Sequence, residues 1–452
     1  MANKETLLRY NPAIPFHGDA PLLQSLMADV GPYEYTGWRD ETMAWKETAY
    51  LGTSLNPTPT LRIQGPDVMK LLSEHFVNGF ANFSVGKTKH GIMVNKDGLI
   101  MMDGVILRTA EDEIFTYWLS PYLDYCFEKG NYDAVCENLT CKVFLYQIAG
   151  PKSLEILEEA SGDNLHDIKF LSHRMSKISG HDVRILRLGM AGTLAYEVHG
   201  PIENAHDVYN AIWDAGKPLG MRKLGSRAYM MNHTEDGFPQ AYYHFPYAWA
   251  TDPGFNEYLA KYPFMVAPGG ISPMTIFEGS MEPVPELLYR NLEDLGWDNV
   301  IKFDHDFVGR AACEKMVANP KRKMVTLEWN KEDIIDVYRS QFEPGEPYKH
   351  MDATNDFFAL TFHTDKVLNA KGEQIGLSSG RSLSYNYRTM ISLCTINREY
   401  GELGTEVFVL WGKPGSRQKK IRAVVSRFPF LQENRNEHVD VSKIPYKGNR
   451  VD

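Results

Sequence analysis

Nothing in this chain pairs its cysteines. There are five, Cys126, Cys136, Cys141, Cys313 and Cys394, an odd and scattered set with no CxxC pair and no cysteine–histidine spacing of a zinc site. A disulfide scaffold is thereby excluded, and the expectation is reduced thiols, no structural metal and a cytoplasmic location. Long hydrophobic runs are also missing: no stretch reaches the roughly eighteen apolar residues of a membrane span. The opening MANKETLLRYNPAIPF lacks the apolar core of a secretion signal. The Asn-x-Ser/Thr triplets at Asn82, Asn138 and Asn232 are then chance matches. Positive charge is in deficit, with 48 Lys and Arg against 58 Asp and Glu, a net charge of -10. Such a balance argues against a nucleic-acid-coating surface and leaves room for a small anionic cofactor. Short-period repeats and low-complexity segments are absent too. The expected partners therefore include no nucleic acid, no membrane and no obligate protein.

What is present is ordinary globular chemistry: 452 residues, 43% hydrophobic and 23% charged, enough for two or three domains. Leu61 to Ile63 reads as a strand and Gly65-Pro66-Asp67 as a turn, followed by Val68, Leu71, Leu72, His75 and Phe76 at helical spacing. Val105 to Leu107 and Ile114 to Trp118 flank a polar turn, as in a hairpin. Lys142 to Ile148 repeats the first pattern: a strand, Gly150-Pro151, then a helix marked by Leu154, Leu157 and Ala160. Asp182 to Leu188 and Ala195 to Val198 form a further strand pair, and Ala205, Val208, Tyr209, Ile212 and Trp213 line one helix face. These elements predict an α+β body over residues 1–322, with a weakly periodic aromatic insert at about 241–291. After the helix at Arg310 to Val317, the basic stretch Asn319 to Lys323 reads as a boundary. Strand-like runs at Met324–Trp329, Phe357–Phe362, Thr389–Ile396, Val407–Trp411 and Ile421–Val425 then predict a β domain over 323–452.

Two motif look-alikes fail on context. Gly79 to Thr88 ends in Gly-Lys-Thr, but its glycines stand too far apart for a phosphate cradle. Gly376-Leu377-Ser378-Ser379-Gly380 has the spacing of a nucleophile elbow, yet no helix follows, so a hairpin is expected there. A third set of segments does hold together. It runs from Leu61-Arg62-Ile63-Gln64-Gly65-Pro66-Asp67 through His90 to Val105, Ile148 to Ser153, Arg187 to Gly192 with Tyr196-Glu197-Val198, and Gly225-Ser226-Arg227. It continues through Leu295-Gly296-Trp297, Asp306 to Arg310, Gln374 to Gly380, Glu399-Tyr400, Gly404 to Val407 and Arg422 to Val425. In order and spacing, these resemble the glycine-cleavage T-protein (aminomethyltransferase) superfamily over roughly residues 30–430.

The resemblance implies a three-lobed ring of two α+β lobes and a C-terminal β-barrel, with tetrahydrofolate in a central channel. Glu197 falls where the family holds the pteridine, a task suited to a carboxylate with two acceptor oxygens. Asp103 matches the active-site aspartate beside the folate nitrogens, and Met102 stands where T-proteins commonly carry a second acid. Arg227 and Trp297 match further folate-channel positions. Trp45 to Tyr50, Gly225 to Tyr229, Lys302 to Phe307 and Ser384-Tyr385-Asn386 resemble the folate-dependent aryl O-demethylases of the vanillate type. That branch implies removal of a methyl, or a methylene, from an aromatic ether. Expelling a phenoxide requires a positioned acid, and tyrosine, with an ordinary pKa of about 10, is matched to a phenol leaving group. Tyr247 falls at the tyrosine given that role, with Tyr242 and Tyr243 as near rivals for it and as further residues lining the substrate. Leu119 stands where these enzymes present an arginine for an aromatic carboxylate, and Asn56-Pro57 replaces a histidine pair, so Leu119 and Pro57 imply a less charged aromatic ether. Two other classes stay open: a folate-linked transferase acting on an amine or sulfonium, and a non-catalytic folate-binding protein.

Overall fold

The structure is a computed structural model that describes residues 22–26, 29–260, 276–354 and 361–446. The chain gathers into two compact units. The first comprises the described residues of Met1–Ile92, Met102–Tyr229 and Gln432–Asp452, the second those of Met93–Met101 and Met230–Leu431.

Two sheets build the first unit. One has five strands in the order Thr88–Val94, Ile100–Ala110, Glu113–Tyr117, Thr60–Gln64, Val135–Asn138. The other has six, in the order His173–Ile178, His181–Leu186, Ala195–Pro201, Val143–Ala149, Tyr50–Gly52, Arg222–Leu224. The strand, Gly-Pro, helix pattern occurs twice, with helices at Val68–His75 and Ser153–Ser161. Gly65 and Gly150 are what the two junctions need. Both have positive φ, and a Cβ would stand 2.4 Å from Asp133 O at the first and 2.5 Å from Thr48 O at the second.

Side-chain alternation sorts the six-stranded sheet into two faces. Phe144, Tyr146, Ile148, Val183, Ile185, Tyr196 and Val198 point one way and pack under Leu154, Leu157, Val208 and Ile212 of the helices Ser153–Ser161 and Ala205–Gly216. Burial of each such side chain is worth about 1.5–3 kcal/mol. The opposite face, through Leu145 and Leu186, packs with Leu107 and Tyr117 of the five-stranded sheet. The two sheets thus face each other, and polar residues on those inner faces are held away from bulk water.

In the second unit six strands close on themselves. Thr361–Leu368, Gln374–Ser384, Thr389–Asn397, Arg322–Trp329, Lys419–Ser426 and Glu406–Trp411 are neighbours in that order, and the last pairs back to the first. Val325, Leu327, Val367, Ile396, Val407, Val409 and Trp411 belong to the core. Closure removes the sheet edges that would otherwise pair with another chain.

The expected hairpin at Gly376–Gly380 is a correction: those residues lie inside the strand Gln374–Ser384, and the chain reverses after Ser384. A register irregularity between Ser379 and Ser382, with Gly380 at φ +60, accommodates the small residues within the strand. The strand run expected at Phe357–Phe362 is described only from Thr361 onward, and 261–275 of the aromatic insert lie outside the described residues. Among the described residues no helix is long and apolar enough to cross a membrane.

Candidate active site

Glu197 sits in the strand Ala195–Pro201, on the face turned toward the five-stranded sheet. It is paired across the ladder with Gln147 on one side and Leu186 on the other. Cross-strand partners share a face, and the side chains use this: Gln147 Nε2 donates to Glu197 Oε1 at 3.2 Å. His199, two residues along and hence on the same face, places Nε2 3.1 Å from Glu197 Oε2. Glu197 and His199 are 4% and 3% exposed. The Tyr117 ring from the facing sheet meets the His199 ring edge-on, with centroids 4.5 Å apart. Burial pushes the hydroxyls of Tyr117 and Tyr229 well above the usual tyrosine range, so both stay protonated.

This carboxylate has no full counter-charge. Among the described residues no Lys or Arg pairs with Glu197. His199 Nδ1 is buried without a hydrogen-bond partner. An unpaired buried N–H on a second positive nitrogen would be costly, so the geometry favours a neutral imidazole that donates through Nε2. The nearby Arg184 is turned to His173 Nδ1 at 2.8 Å. Burial, and then the Arg184 charge, push His173 down to about 3. What Glu197 can still accept is a set of N–H donors from a flat heterocycle, and a pteridine supplies them.

Asp103 lies on the strand Ile100–Ala110. Val105, two residues on, is the ladder partner of Tyr117, so alternation turns Asp103 toward the same inter-sheet face. His90 Nε2, from the adjacent strand Thr88–Val94, is 2.8 Å from Asp103 Oδ2. Arg227 Nη1 bonds Glu34 Oε1 at 2.7 Å, and its guanidinium lies over the rings of Tyr33 and Trp38 at 5.7 and 6.0 Å. Arg227 Nε is buried without a partner. Leu119 is fully buried ahead of the helix Tyr122–Lys129, its carbonyl accepting from Leu123 N at 2.9 Å. Pro57 follows Asn56, whose side chain bonds both the N–H and the carbonyl of Leu145.

The second unit holds the aromatic positions. Tyr247 is buried, stacked on Trp249 at 5.5 Å and edge-on to Tyr242 and Phe245 at 5.6 and 5.7 Å. Trp297 packs against Phe238 and Phe245, each at 5.7 Å. Trp249 Nε1 donates to Met101 O at 2.6 Å and Ala248 N to Ile100 O at 2.8 Å, which ties this segment to the two residues just before Met102-Asp103. Tyr242 has φ +63 and a hydroxyl raised far above its usual range by burial. Tyr243 commits its hydroxyl to Thr354 Oγ1 at 2.6 Å.

Sequence reasoning missed His90, Gln147, His199 and Tyr117 as members of these clusters. Gln147 could have been found: it is the lone polar side chain in Val143–Ala149, a strand otherwise apolar throughout. His199 carries a weaker signal, its two-residue offset from Glu197 within one strand.

A pair of facing sheets and a closed six-stranded barrel are the parts of the T-protein architecture. The structure of glycine cleavage aminomethyltransferase T from Bartonella henselae superposes with a TM-score of 0.66 at 16% identity, covering 92% of this chain and 96% of that one. The GCVT N-terminal domain family matches residues 31–244. The chain belongs to the GCVT family. Among its relatives, sesamin methylene transferase of Sinomonas sp. is 41% identical over 93% of this chain and 95% of that protein. Syringate O-demethylase of Sphingobium sp. is 30% identical over 90% and 92%. An aminomethyltransferase of Phocaeicola vulgatus is 23% identical over 88% and 92%.

Proposed function

We propose that this protein is a tetrahydrofolate-dependent transferase that takes a one-carbon group from an aromatic ether and leaves a phenol or catechol. The observation that carries the cofactor is Glu197, a buried carboxylate steered by Gln147 and His199 with no Lys or Arg among the described residues to neutralise it. The likeness to sesamin methylene transferase and syringate O-demethylase supports an ether donor, and the higher identity to the former supports a methylenedioxy bridge beside the methoxy group. When bound, tetrahydrofolate supplies the nucleophilic nitrogen that accepts the carbon.

The chain's own residues bind, orient and move protons. Glu197 would hold the heterocycle, with Arg227 and Trp297 as further candidate contacts to it. Asp103 would take the proton that the reacting nitrogen gives up. Tyr247 donates to the departing ether oxygen, with Tyr242, Tyr243, Leu119 and Pro57 shaping the substrate's surroundings. Burial among aromatic rings excludes water, so proximity and proton placement carry the rate. The test is incubation with tetrahydrofolate and a panel of methoxy- and methylenedioxy-arenes, with the folate product identified by mass. Methyl- or methylene-tetrahydrofolate together with a free phenol is expected. Turnover restricted to amines or sulfonium compounds would assign the protein to the other transferase class.

A further inference from the structure

We propose that His90 is the proton exit of Asp103: a positioning residue that receives the proton Asp103 takes from the reacting nitrogen and passes it to solvent. The inference rests on the reading of Asp103 given above and adds a residue to it. Its basis is one short contact, His90 Nε2 to Asp103 Oδ2 at 2.8 Å, and a gradient of exposure across that contact: 11% for the aspartate side chain and 21% for the imidazole. A proton on Asp103 therefore has an outward neighbour that can carry it. Imidazole is the side chain that exchanges protons near neutral pH through two distinct nitrogens, one of which can face the carboxylate while the other faces outward.

The backbone holds His90 where this requires it. The His90 carbonyl accepts from Asn78 Nδ2 at 2.8 Å, and Asn78 Oδ1 accepts from Ile92 N at 3.0 Å, so one amide side chain clamps the strand on both sides of Gly91. Gly91 itself admits no side chain: a Cβ would stand 2.5 Å from Ile106 Cδ1 and 2.9 Å from Phe76. The strand is thus seated on its neighbour, which holds His90 against Asp103.

Proton accounting gives the dyad its task. The carbon–oxygen bond of the ether breaks with its electron pair going to oxygen, and a bond from that carbon to nitrogen forms from the nitrogen lone pair. One proton must leave the nitrogen, and one must reach the oxygen. Tyr247 gives the second and is then short of a proton. Asp103 takes the first and must lose it before the next turnover. Without an exit, Asp103 stays protonated and the next transfer has no base.

The experiment compares wild type, His90→Gln and His90→Ala. Glutamine keeps a hydrogen-bond donor for Asp103 and carries no proton. The expected result for His90→Gln is unchanged tetrahydrofolate affinity by calorimetry, turnover lowered by about one to two powers of ten, and partial recovery for His90→Ala on adding imidazole. Independently of turnover, spectra of the cofactor-free protein labelled with ¹⁵N-histidine should show the His90 resonances moving on Asp103→Asn. Wild-type turnover in His90→Gln, loss that imidazole does not relieve, or His90 resonances indifferent to Asp103→Asn would each overturn the relay. If wild type itself transfers no carbon from any aromatic ether, the proposed function fails, and the spectra still decide whether the dyad exists.

Discussion

At the scale of single residues, the first unit contains several buried carboxyl groups put to different uses. Glu197 is held in place for a ligand by Gln147 and His199, so Glu197→Gln should fold and lose roughly 1.5–3 kcal/mol of tetrahydrofolate binding, about ten- to a hundredfold in affinity. Calorimetry giving equal affinity for the two proteins would remove Glu197 from the site. Asp124 is the contrasting case. Burial first, then the Glu128 charge, push its carboxyl up from 3.8 to about 6 against a hydrogen bond from Ser120, and Asp124 Oδ1 has no partner. Because the folded state holds this proton more tightly than the unfolded state, stability contributed here declines as pH rises from about 4 through about 6 and then levels off. Asp124→Asn should therefore melt higher than wild type at pH 8, by up to about 3 kcal/mol, with the gap closing toward pH 4. A difference in melting temperature that does not change with pH would show that the carboxyl is not the cause. Tyr247 is tested by Tyr247→Phe, which keeps the ring stack on Trp249 and removes the hydroxyl. Turnover should fall by roughly two to four powers of ten, and less for ethers of more acidic phenols, which leave with less help. Equal losses across leaving groups would move the donor elsewhere.

Elements differ in how openly the chain declares them. Six strands of the first unit's two sheets were legible because they alternate or run apolar, two of them ending at Gly-Pro before a helix with one apolar stripe, whereas Tyr50–Gly52, Thr88–Val94, Val135–Asn138, His173–Ile178 and Arg222–Leu224 were not read. Gln374–Ser384 was not, because Gly376, Ser378, Ser379, Gly380 and Ser382 look like turn chemistry, and only barrel closure rewards a strand there. The helix Ser226–Asp236 was equally hidden. Asn232, His233 and Thr234 within it are fully buried, so no polar face contrasts with an apolar one. Glu41 shows how such an element is anchored from a distance. From the helix Trp38–Glu47 it accepts four backbone N–H groups, from Tyr35, Thr36, Gly37 and, at 2.7 Å, Gly225, the residue just before the Ser226–Asp236 helix. Burial nonetheless raises its carboxyl above the usual range. Glu41→Ala would orphan these donors and should cost about 3 kcal/mol or more, with Glu41→Gln in between. The same melting temperature for wild type and Glu41→Ala would refute that anchoring role. Candidate site residues followed the same rule: Glu197 and Asp103 stood in recognisable segments, while Gln147, His199 and His90 acquire meaning only from which strands lie side by side.

On the scale of the whole molecule, charge argues for the kind of substrate. The chain carries a net charge of -10, and Glu197 and Asp103 add two acidic groups to the inner faces of the first unit's sheets. An anionic substrate would need a cation to receive it, and the buried arginines, with the half-buried Arg227, are spoken for within their own units. In the first, Arg187 bonds Asn436 and Val439 O, and Arg227 pairs with Glu34. In the second, Arg290 bonds the carbonyls of Leu288 and Tyr289, and Arg381 that of Asp352. Freeing any of them would strand a partner, at a cost of about 1–3 kcal/mol for each buried group left unpaired. Leu119, apolar and fully buried, supplies no charge in their place. Neutral aromatic ethers should therefore be used with a higher kcat/KM than the same ring bearing a carboxylate, by about tenfold or more, equivalent to roughly 1.4 kcal/mol of transition-state binding. The check is paired: one methoxyarene with and without a ring carboxylate, and one methylenedioxyarene treated likewise. A tenfold preference for the carboxylate in either pair would mean that one of these arginines is released on binding, and Arg227, whose Nε has no partner, would be the first to replace.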